Sequence, residues 1–162
     1  MQYILPSNSI NFLKSLVGRK VVGVSRQLFQ DDMNQENYEQ MADGSVEFIF
    51  DDRKVISFYP WTEICSIGIT NVKTKQYGDS YIYKNLTDST FWQQVIRQSI
   101  AKIIIYKSIY ASEDNPLEFA IEFEFENSKK VCIEYLSEEN FLDTLRVIEQ
   151  NKETRCTSIV IE

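Results

Sequence analysis

Alternation of apolar and polar residues predicts that most of the chain forms β-strands. The clearest strand is 117–126, where apolar residues such as Phe119, Ile121 and Phe123 alternate with four glutamates and Ala120. A β-rich run over 130–136 follows across a short polar turn, so the two runs predict a hairpin. A second hairpin is predicted from 46–50 and 54–59, with Pro60 ending its second strand. Further strands are predicted over 20–29, 64–72, 80–83, 102–110 and 158–161.

Three segments instead show the apolar spacing of short amphipathic helices. The first is 8–17, with Ser7 or Asn8 as the N-cap and Gly18 after its end. The second is 88–99, and the third is 137–150, which Ser137 would cap. The apolar stripe of the third helix would be Phe141, Leu142, Leu145 and Ile148. Residues 30–44 are polar and are predicted to form a loop that holds one short helical turn. The pattern therefore predicts an α+β fold of mainly antiparallel sheet with about three helices.

The order of predicted elements also suggests an internal repeat. The first set of elements is helix 8–17, strand 20–29 and the hairpin over 46–59. It resembles a second set, which is helix 88–99, strand 102–110 and the hairpin over 117–136. Val46-Glu47-Phe48-Ile49-Phe50 aligns with Ile121-Glu122-Phe123-Glu124-Phe125. Any two amphipathic hairpins share such a pattern, so a chance likeness stays open. The expectation is one domain over 1–162, with similar halves at 8–83 and 88–161.

The composition is that of a compact protein of 162 residues, in which 43% of the residues are hydrophobic. Three widely spaced cysteines and an N-terminus unlike a signal peptide favour a cytoplasmic protein with free thiols. No apolar run reaches the roughly 18 residues that span a bilayer, so no membrane association is expected. Asn115-Pro116 is expected to break the chain before the acidic strand.

Negative charge is concentrated in one region. The chain carries −7 in all, whereas 111–150 carries −8 and the remainder +1. This charge disfavours nucleic-acid phosphates and favours a basic protein partner. Alternation places four glutamates on the solvent side of strand 117–126, with a fifth from the hairpin partner. These candidate binding residues are Glu118, Glu122, Glu124, Glu126 and Glu134, and Asp31, Asp32 and Glu36 extend them from the polar loop. The alternative is a solvated face neutralised by Lys102, Lys107 and Lys129.

Other chemistry is sparse. The chain has no histidine and only five glycines, without a phosphate-binding loop. Asp51-Asp52 is the obvious carboxylate pair, but adjacent residues in a hairpin turn point apart. No catalytic residue, metal ligand or cofactor is therefore predicted. An aromatic group could form a recognition patch, although core packing is the commoner use of such residues. Its members are Tyr77, Tyr81, Tyr83, Phe91 and Trp92.

One region resembles a known class of proteins. The residues that carry the resemblance are Phe91–Tyr110, the acidic strand that begins with Asn115-Pro116-Leu117-Glu118-Phe119, and the return strand Lys129–Tyr135. These segments are similar to immunity proteins of bacterial polymorphic-toxin and contact-dependent growth-inhibition systems. The resemblance implies a small cytosolic protein that binds one toxin domain tightly and blocks its active site. Such toxins are often basic nucleases, for which an acidic inhibitor is electrostatically suited. Two alternatives are a self-associating adaptor that uses its sheet edges and a carboxylate- and metal-dependent hydrolase.

Overall fold

The strands of the protein form two six-stranded antiparallel sheets. The computed structural model describes residues 1–6, 8–110, 118–138 and 141–162. In chain order the strands are β1 (Gln2–Ile4), β2 (Val21–Phe29), β3 (Met41–Ala42), β4 (Val46–Phe50), β5 (Val55–Trp61), β6 (Ser66–Thr70), β7 (Tyr81–Asn85), β8 (Ile100–Ser108), β9 (Glu118–Phe125), β10 (Lys130–Glu138), β11 (Phe141–Ile148) and β12 (Cys156–Ile161). The first sheet has the order β1-β6-β5-β4-β2-β7, and the second has the order β12-β8-β9-β10-β11-β3.

Helices are few and short. Within the described residues there are two α-helices, α1 (Ile10–Lys14) and α2 (Thr90–Gln93), and two 3-10 turns, Gln30–Asn34 and Thr62–Ile64. The mainly antiparallel sheet is confirmed, and the 3-10 turn at Gln30–Asn34 matches the turn predicted for the polar loop. The prediction of an α+β protein with about three helices is wrong, because the fold is mainly β. No described helix is long and apolar enough to cross a bilayer.

The predicted helix over 137–150 is the main error. Residues Phe141–Ile148 form strand β11, which pairs with β10 so that Tyr135 lies opposite Leu145 and Ile133 opposite Val147. Leu145 and Val147 are buried and alternate with Arg146, a period of two that the helical assignment ignored. A strand here completes the hydrogen bonds of β10, which a helix could not do. Glu139 and the predicted break at Asn115-Pro116 lie outside the described residues.

The other two predicted helices are correctly placed but too long. Ser9 precedes α1, whereas the predicted cap Ser7 lies outside the described residues. Turns follow α1 as far as Gly18, whose φ of 82° ends the helical path, as predicted. The chain after α2 turns at Arg97, with a φ of 66°. The predicted apolar faces are buried in both helices and in the turns that follow them, since Leu13, Leu16 and Val95 are fully buried and Trp92 nearly so.

The core lies between the two sheets. The ring of Phe123 in β9 packs edge-to-face on Phe48 of β4, with centroids 5.1 Å apart, and on Phe58 of β5 at 5.4 Å. Trp92 closes one side, 5.8 Å from Phe48. The predicted inward residues of the second hairpin are confirmed as buried, namely Ile121, Phe123, Phe125, Val131 and Ile133. A facing sheet covers them, rather than the predicted helix.

Two local predictions need correction. Pro60 lies inside β5, because β4 pairs with β5 only as far as Phe58 and the strand continues against β6 alone. The missing N–H of proline is tolerated where one side of the strand has no neighbour. Phe119 is only partly buried. The pairing of β8 with β9 shifts at Tyr106 and Lys107, so the alternation does not continue to the start of β9.

The two sheets are built alike. Read as β7-β2-β4-β5-β6-β1, the first matches the order β12-β8-β9-β10-β11-β3 of the second. The turns after α1 and α2 exchange reciprocal hydrogen bonds: the amide of Gly18 donates to the carbonyl of Ile100, and the amide of Arg97 donates to that of Val21, both at 2.7 Å. Equivalent bonds close both hairpins, from Phe50 to Lys54 and from Phe125 to Lys129. This local two-fold arrangement is the geometry that an internal duplication would produce.

Candidate protein-binding site

The acidic strand is largely hidden from solvent. Glu118, Glu122 and Glu134 are only 2%, 1% and 2% exposed. Glu124 is partly buried, and Glu126 is exposed in the hairpin turn. The prediction that all five glutamates form a solvent-facing surface is therefore wrong for three of them. Alternation gave the sheet face of Glu122 and Glu134 but could not reveal what covers that face.

Glu122 is held by a segment that crosses the outer face of the second sheet. One carboxylate oxygen accepts from the backbone amide of Asn151 at 2.7 Å, and the other accepts from the hydroxyl of Tyr106 at 3.2 Å. Lys130 lies 3.4 Å away on the neighbouring strand. Burial and the adjacent Glu122 raise the pKa of Tyr106, so its hydroxyl stays a donor at neutral pH. The connection between β11 and β12 thus covers this carboxylate.

Basic residues on neighbouring strands compensate the other acids. Arg146 of β11 donates from Nε to Glu134 at 2.8 Å, and its Nη2 lies 2.6 Å from the same oxygen. Glu124 lies 3.7 Å from Lys102 and 3.5 Å from Lys130. The net charge of −8 over 111–150 therefore overstates the free charge here, because Lys102 comes from outside that segment. For Glu124, the alternative of a sheet face neutralised by neighbouring lysines therefore fits better than a free binding surface.

Glu118 differs from its neighbours in having no cation within 4 Å among the described residues. Its carbonyl accepts a hydrogen bond from the hydroxyl of Ser66 on β6, which brings this end of β9 against the first sheet. Burial raises the pKa of the Glu118 carboxyl, and a hydrogen bond from its own backbone amide and the charge of Lys107 only partly oppose this effect. The ionised side chain therefore costs stability.

We expect Glu118→Gln to increase the free energy of unfolding at pH 7. Because the folded-state pKa is raised, the contribution of this carboxyl is most favourable below its unfolded pKa of about 4.3 and is lost as pH rises through the folded value. Urea unfolding should show a gain at pH 7 that disappears near pH 3, where the carboxyl is protonated in both states. A loss at pH 7 would show that attraction to Lys107 outweighs the desolvation.

The outer face of the first sheet is covered in the same manner. Glu47 of β4 is 1% exposed and accepts from Ser25 at 2.8 Å and from Thr74 at 3.3 Å. Gln27 donates to Thr74 and to the carbonyl of Lys75, and its side-chain oxygen accepts from the amide of Tyr77 at 3.0 Å. These bonds fix the segment between β6 and β7 on the sheet. They also fix where Tyr77 lies.

Carboxylates and tyrosines meet at one end of the first sheet. The amide of Gln30 donates to the carbonyl of Ser80 at 2.9 Å, which brings the turn after β2 beside the turn before β7. Asp31 and Asp79 are exposed on these two turns, and Asp32 is partly exposed. We refer to the following group as the acidic corner: Asp31, Asp32, Asp43, Asp79, Tyr77 and Tyr81. Glu36 is exposed on the same loop as Asp31, outside this group.

Tyr81 organises the acidic corner. Its ring lies 5.3 Å from that of Phe29 and 5.4 Å from that of Tyr77, centroid to centroid. Its hydroxyl donates to Oδ2 of Asp43 at 2.5 Å. Burial, this hydrogen bond and the charges of Asp43 and Asp32 raise the pKa of Tyr81, so the hydroxyl stays protonated at neutral pH. Tyr77 beside it is 45% exposed.

The carboxylates at the surface of the acidic corner are free of cations. Within the described residues no lysine or arginine lies within 4 Å of Asp31, Asp32 or Asp79. The nearby Lys84 is already paired with Glu39 at 2.6 Å. Sequence analysis named Asp31, Asp32 and the tyrosines separately, but it did not connect them and it missed Asp43 and Asp79. The turn signals at Asp43-Gly44 and Gly78-Asp79 were the available sequence clue.

The remaining candidates have structural surroundings. Trp92 belongs to the core and Phe91 packs against it. Tyr83 donates to the carbonyl of Thr74, with Nζ of Lys73 3.8 Å above its ring. Asp52 pairs with Arg19 at 2.5 Å and with Lys54 at 3.2 Å, as expected of a turn aspartate. Among the residues that the structure describes, no three histidines, cysteines or carboxylates are grouped so that they could hold a metal ion.

Comparison of the chain with protein-family models, curated proteins and solved structures gave no match.

Proposed function

We propose that this chain is a non-enzymatic, cytoplasmic protein that binds a basic protein domain through the acidic corner. The observation that carries the proposal is that surface carboxylates without a neighbouring cation lie beside an exposed tyrosine on a fixed turn. The choice of a toxin domain as partner, which the chain would neutralise, rests on the resemblance to immunity proteins. The local charge and the exposed tyrosine support a basic partner, and the activity of that partner rests on the resemblance alone.

Physical chemistry favours this corner over the acidic strand. Tyrosine is enriched among the residues that dominate binding energy, since it buries a large area with few rotatable bonds. Free carboxylates around it accelerate encounter with a positively charged partner. Glu122, Glu124 and Glu134 are already paired with basic residues of the protein itself, and breaking a buried pair is costly. Of the five glutamates of this hairpin, only Glu126 is fully accessible.

The alternative functions receive different support. A metal-dependent hydrolase has no specific observation in its favour, because Asp52 is engaged by the amide of Lys54 in its own turn and by Arg19. Self-association through a sheet edge is considered separately below. We retain the internal duplication as a proposal, supported by the matched strand orders and the reciprocal hydrogen bonds between Gly18, Ile100, Val21 and Arg97.

Reversing charge at the acidic corner should slow association with the partner. The wild-type chain is immobilised, the bound protein is captured from a lysate of the native host, and its association rate is measured at two salt concentrations. Asp31→Lys with Asp32→Lys should reduce the rate at least about tenfold at low salt and less at physiological salt, where the screening length is about 8 Å. Tyr77→Ala should chiefly accelerate dissociation, because it removes a packed aromatic contact.

A matched control separates location from net charge. Asp51→Lys with Glu126→Lys changes the charge by the same amount, in the two hairpin turns at the far end of β2. Binding should be nearly unchanged in this control. If the control pair slows association and the Asp31/Asp32 pair does not, the acidic corner is not the binding site. Capture of a partner without a basic surface would contradict the electrostatic basis of the proposal.

A further inference from the structure

Strand β12 leaves one edge of the second sheet open. It pairs with β8 over Cys156–Ile161, with Ile159 opposite Ile105, and it ends the strand order of that sheet. Four consecutive residues of β12 are exposed, including Ile159 at 36% and Val160 at 52%. Such an edge presents unpaired N–H and C=O groups that can pair with another strand.

The usual protections of an edge strand are missing from β12. Its sequence, Cys-Thr-Ser-Ile-Val-Ile, has no charge, proline or glycine and has high β-propensity. The other three edges differ. Strands β1 and β3 have three and two residues, and β7 carries Lys84. Thus, β12 is the longest sheet edge in the described part of the chain, and it carries no blocking residue.

Charges at its two ends make β12 complementary to itself. Arg155 precedes the strand and Glu162 follows it. Two copies that pair antiparallel bring Arg155 of each close to Glu162 of the other, whereas parallel pairing would place like charges together. Exposed Ile109 and Tyr110 lie at the Arg155 end, where the amide of Ile109 donates to the carbonyl of Arg155 at 3.2 Å. These side chains add apolar area beside the strand.

We propose that two copies of this chain associate by antiparallel pairing of their β12 strands. The two second sheets then form one continuous sheet around a two-fold axis perpendicular to it. Six paired residues make a small interface, so the dimer is weak, with a dissociation constant between about 1 μM and 1 mM. The proposal is independent of the toxin-binding function, because the acidic corner lies on the first sheet.

Sedimentation analysis of the purified chain over that concentration range tests the proposal. A species of twice the 19.0 kDa monomer mass should appear as concentration rises. Val160→Lys places two ammonium groups on the same face of the joined sheet and should raise the dissociation constant at least about tenfold. Val72→Lys is the matched control, since Val72 is 56% exposed in the segment covering the first sheet, and it should leave the constant unchanged.

A charge exchange tests the antiparallel direction. Arg155→Glu should weaken the dimer, and adding Glu162→Arg to that variant should restore it. Circular dichroism confirms that each variant is folded. A chain that stays monomeric throughout the range, or a dimer that is insensitive to Val160→Lys, overturns the proposal. A dimer weakened by Arg155→Glu but not restored by the exchange overturns the antiparallel pairing.

Discussion

Replacing Phe123 by alanine is expected to lower the free energy of unfolding by about 3–5 kcal/mol. Its side chain is fully buried, and its ring joins the sheets by packing on Phe48 and Phe58. Removing the ring loses its transfer free energy and leaves a cavity that two strands of the first sheet would have to collapse to fill. Urea unfolding followed by circular dichroism measures the loss.

Phe119→Ala in the same strand provides the control. Phe119 is only partly buried and lies where the pairing of β8 with β9 shifts in register. The same chemical change should therefore lower the free energy of unfolding clearly less at this position. If Phe123→Ala costs below about 1 kcal/mol, the sheets are not held together by this aromatic cluster. If both substitutions lower the free energy of unfolding equally, Phe119 is as deeply buried as Phe123, contrary to the structure.

Gly44→Ala is expected to destabilise the protein by about 3 kcal/mol or more. A Cβ atom at position 44 would lie 1.9 Å from the carbonyl oxygen of Gln27 and 2.6 Å from its carbonyl carbon. Both atoms belong to the backbone of β2, so no side-chain rotation relieves the overlap. The strand must move, and Gln27 also bonds to Lys75 and Tyr77, so the surroundings of the acidic corner should change as well.

Gly78→Ala is the matched control for this prediction. Nothing lies within 4 Å of a Cβ atom at position 78, and alanine there restricts the unfolded chain. The free energy of unfolding should be unchanged or increased by less than about 1 kcal/mol. Urea unfolding compares the two variants, and near-UV circular dichroism reports the tyrosine environment. A Gly44→Ala protein with wild-type stability would disprove the close approach of this turn to β2.

The repeated construction has a functional consequence for where binding can occur. Each sheet has a buried glutamate on its outer face, Glu47 in the first and Glu122 in the second, and each glutamate bonds to the segment that crosses the face. Both faces are thereby covered in part by the chain itself. Uncompensated charges and unpaired backbone groups are left at the ends and edges of the sheets, which is where the acidic corner and β12 lie.

Local pattern determined the hairpins and the inward residues of β9 and β10. Period-two alternation and short polar turns depend only on neighbouring residues, so the positions of Ile121, Phe123 and Val131 could be predicted from the sequence. The apolar faces of α1 and α2 were predictable for the same reason. The lengths of these helices were not predictable, because the turns after them are fixed by hydrogen bonds between distant segments. The amide of Gly18 donates to Ile100 at the start of β8, and the amide of Arg97 donates to Val21 at the start of β2.

Tertiary structure decided the identity of β11 and the environment of the acids. The apolar residues after 140 fit both a helical and a two-residue period, and the open edge of β10 selected the strand. Whether Glu122 meets water depends on Asn151, and whether Glu134 is neutralised depends on Arg146. Asp31 and Asp79 are far apart in sequence and become neighbours only because β2 pairs with β7. Contacts between distant segments, which no local pattern encodes, therefore set the candidate site.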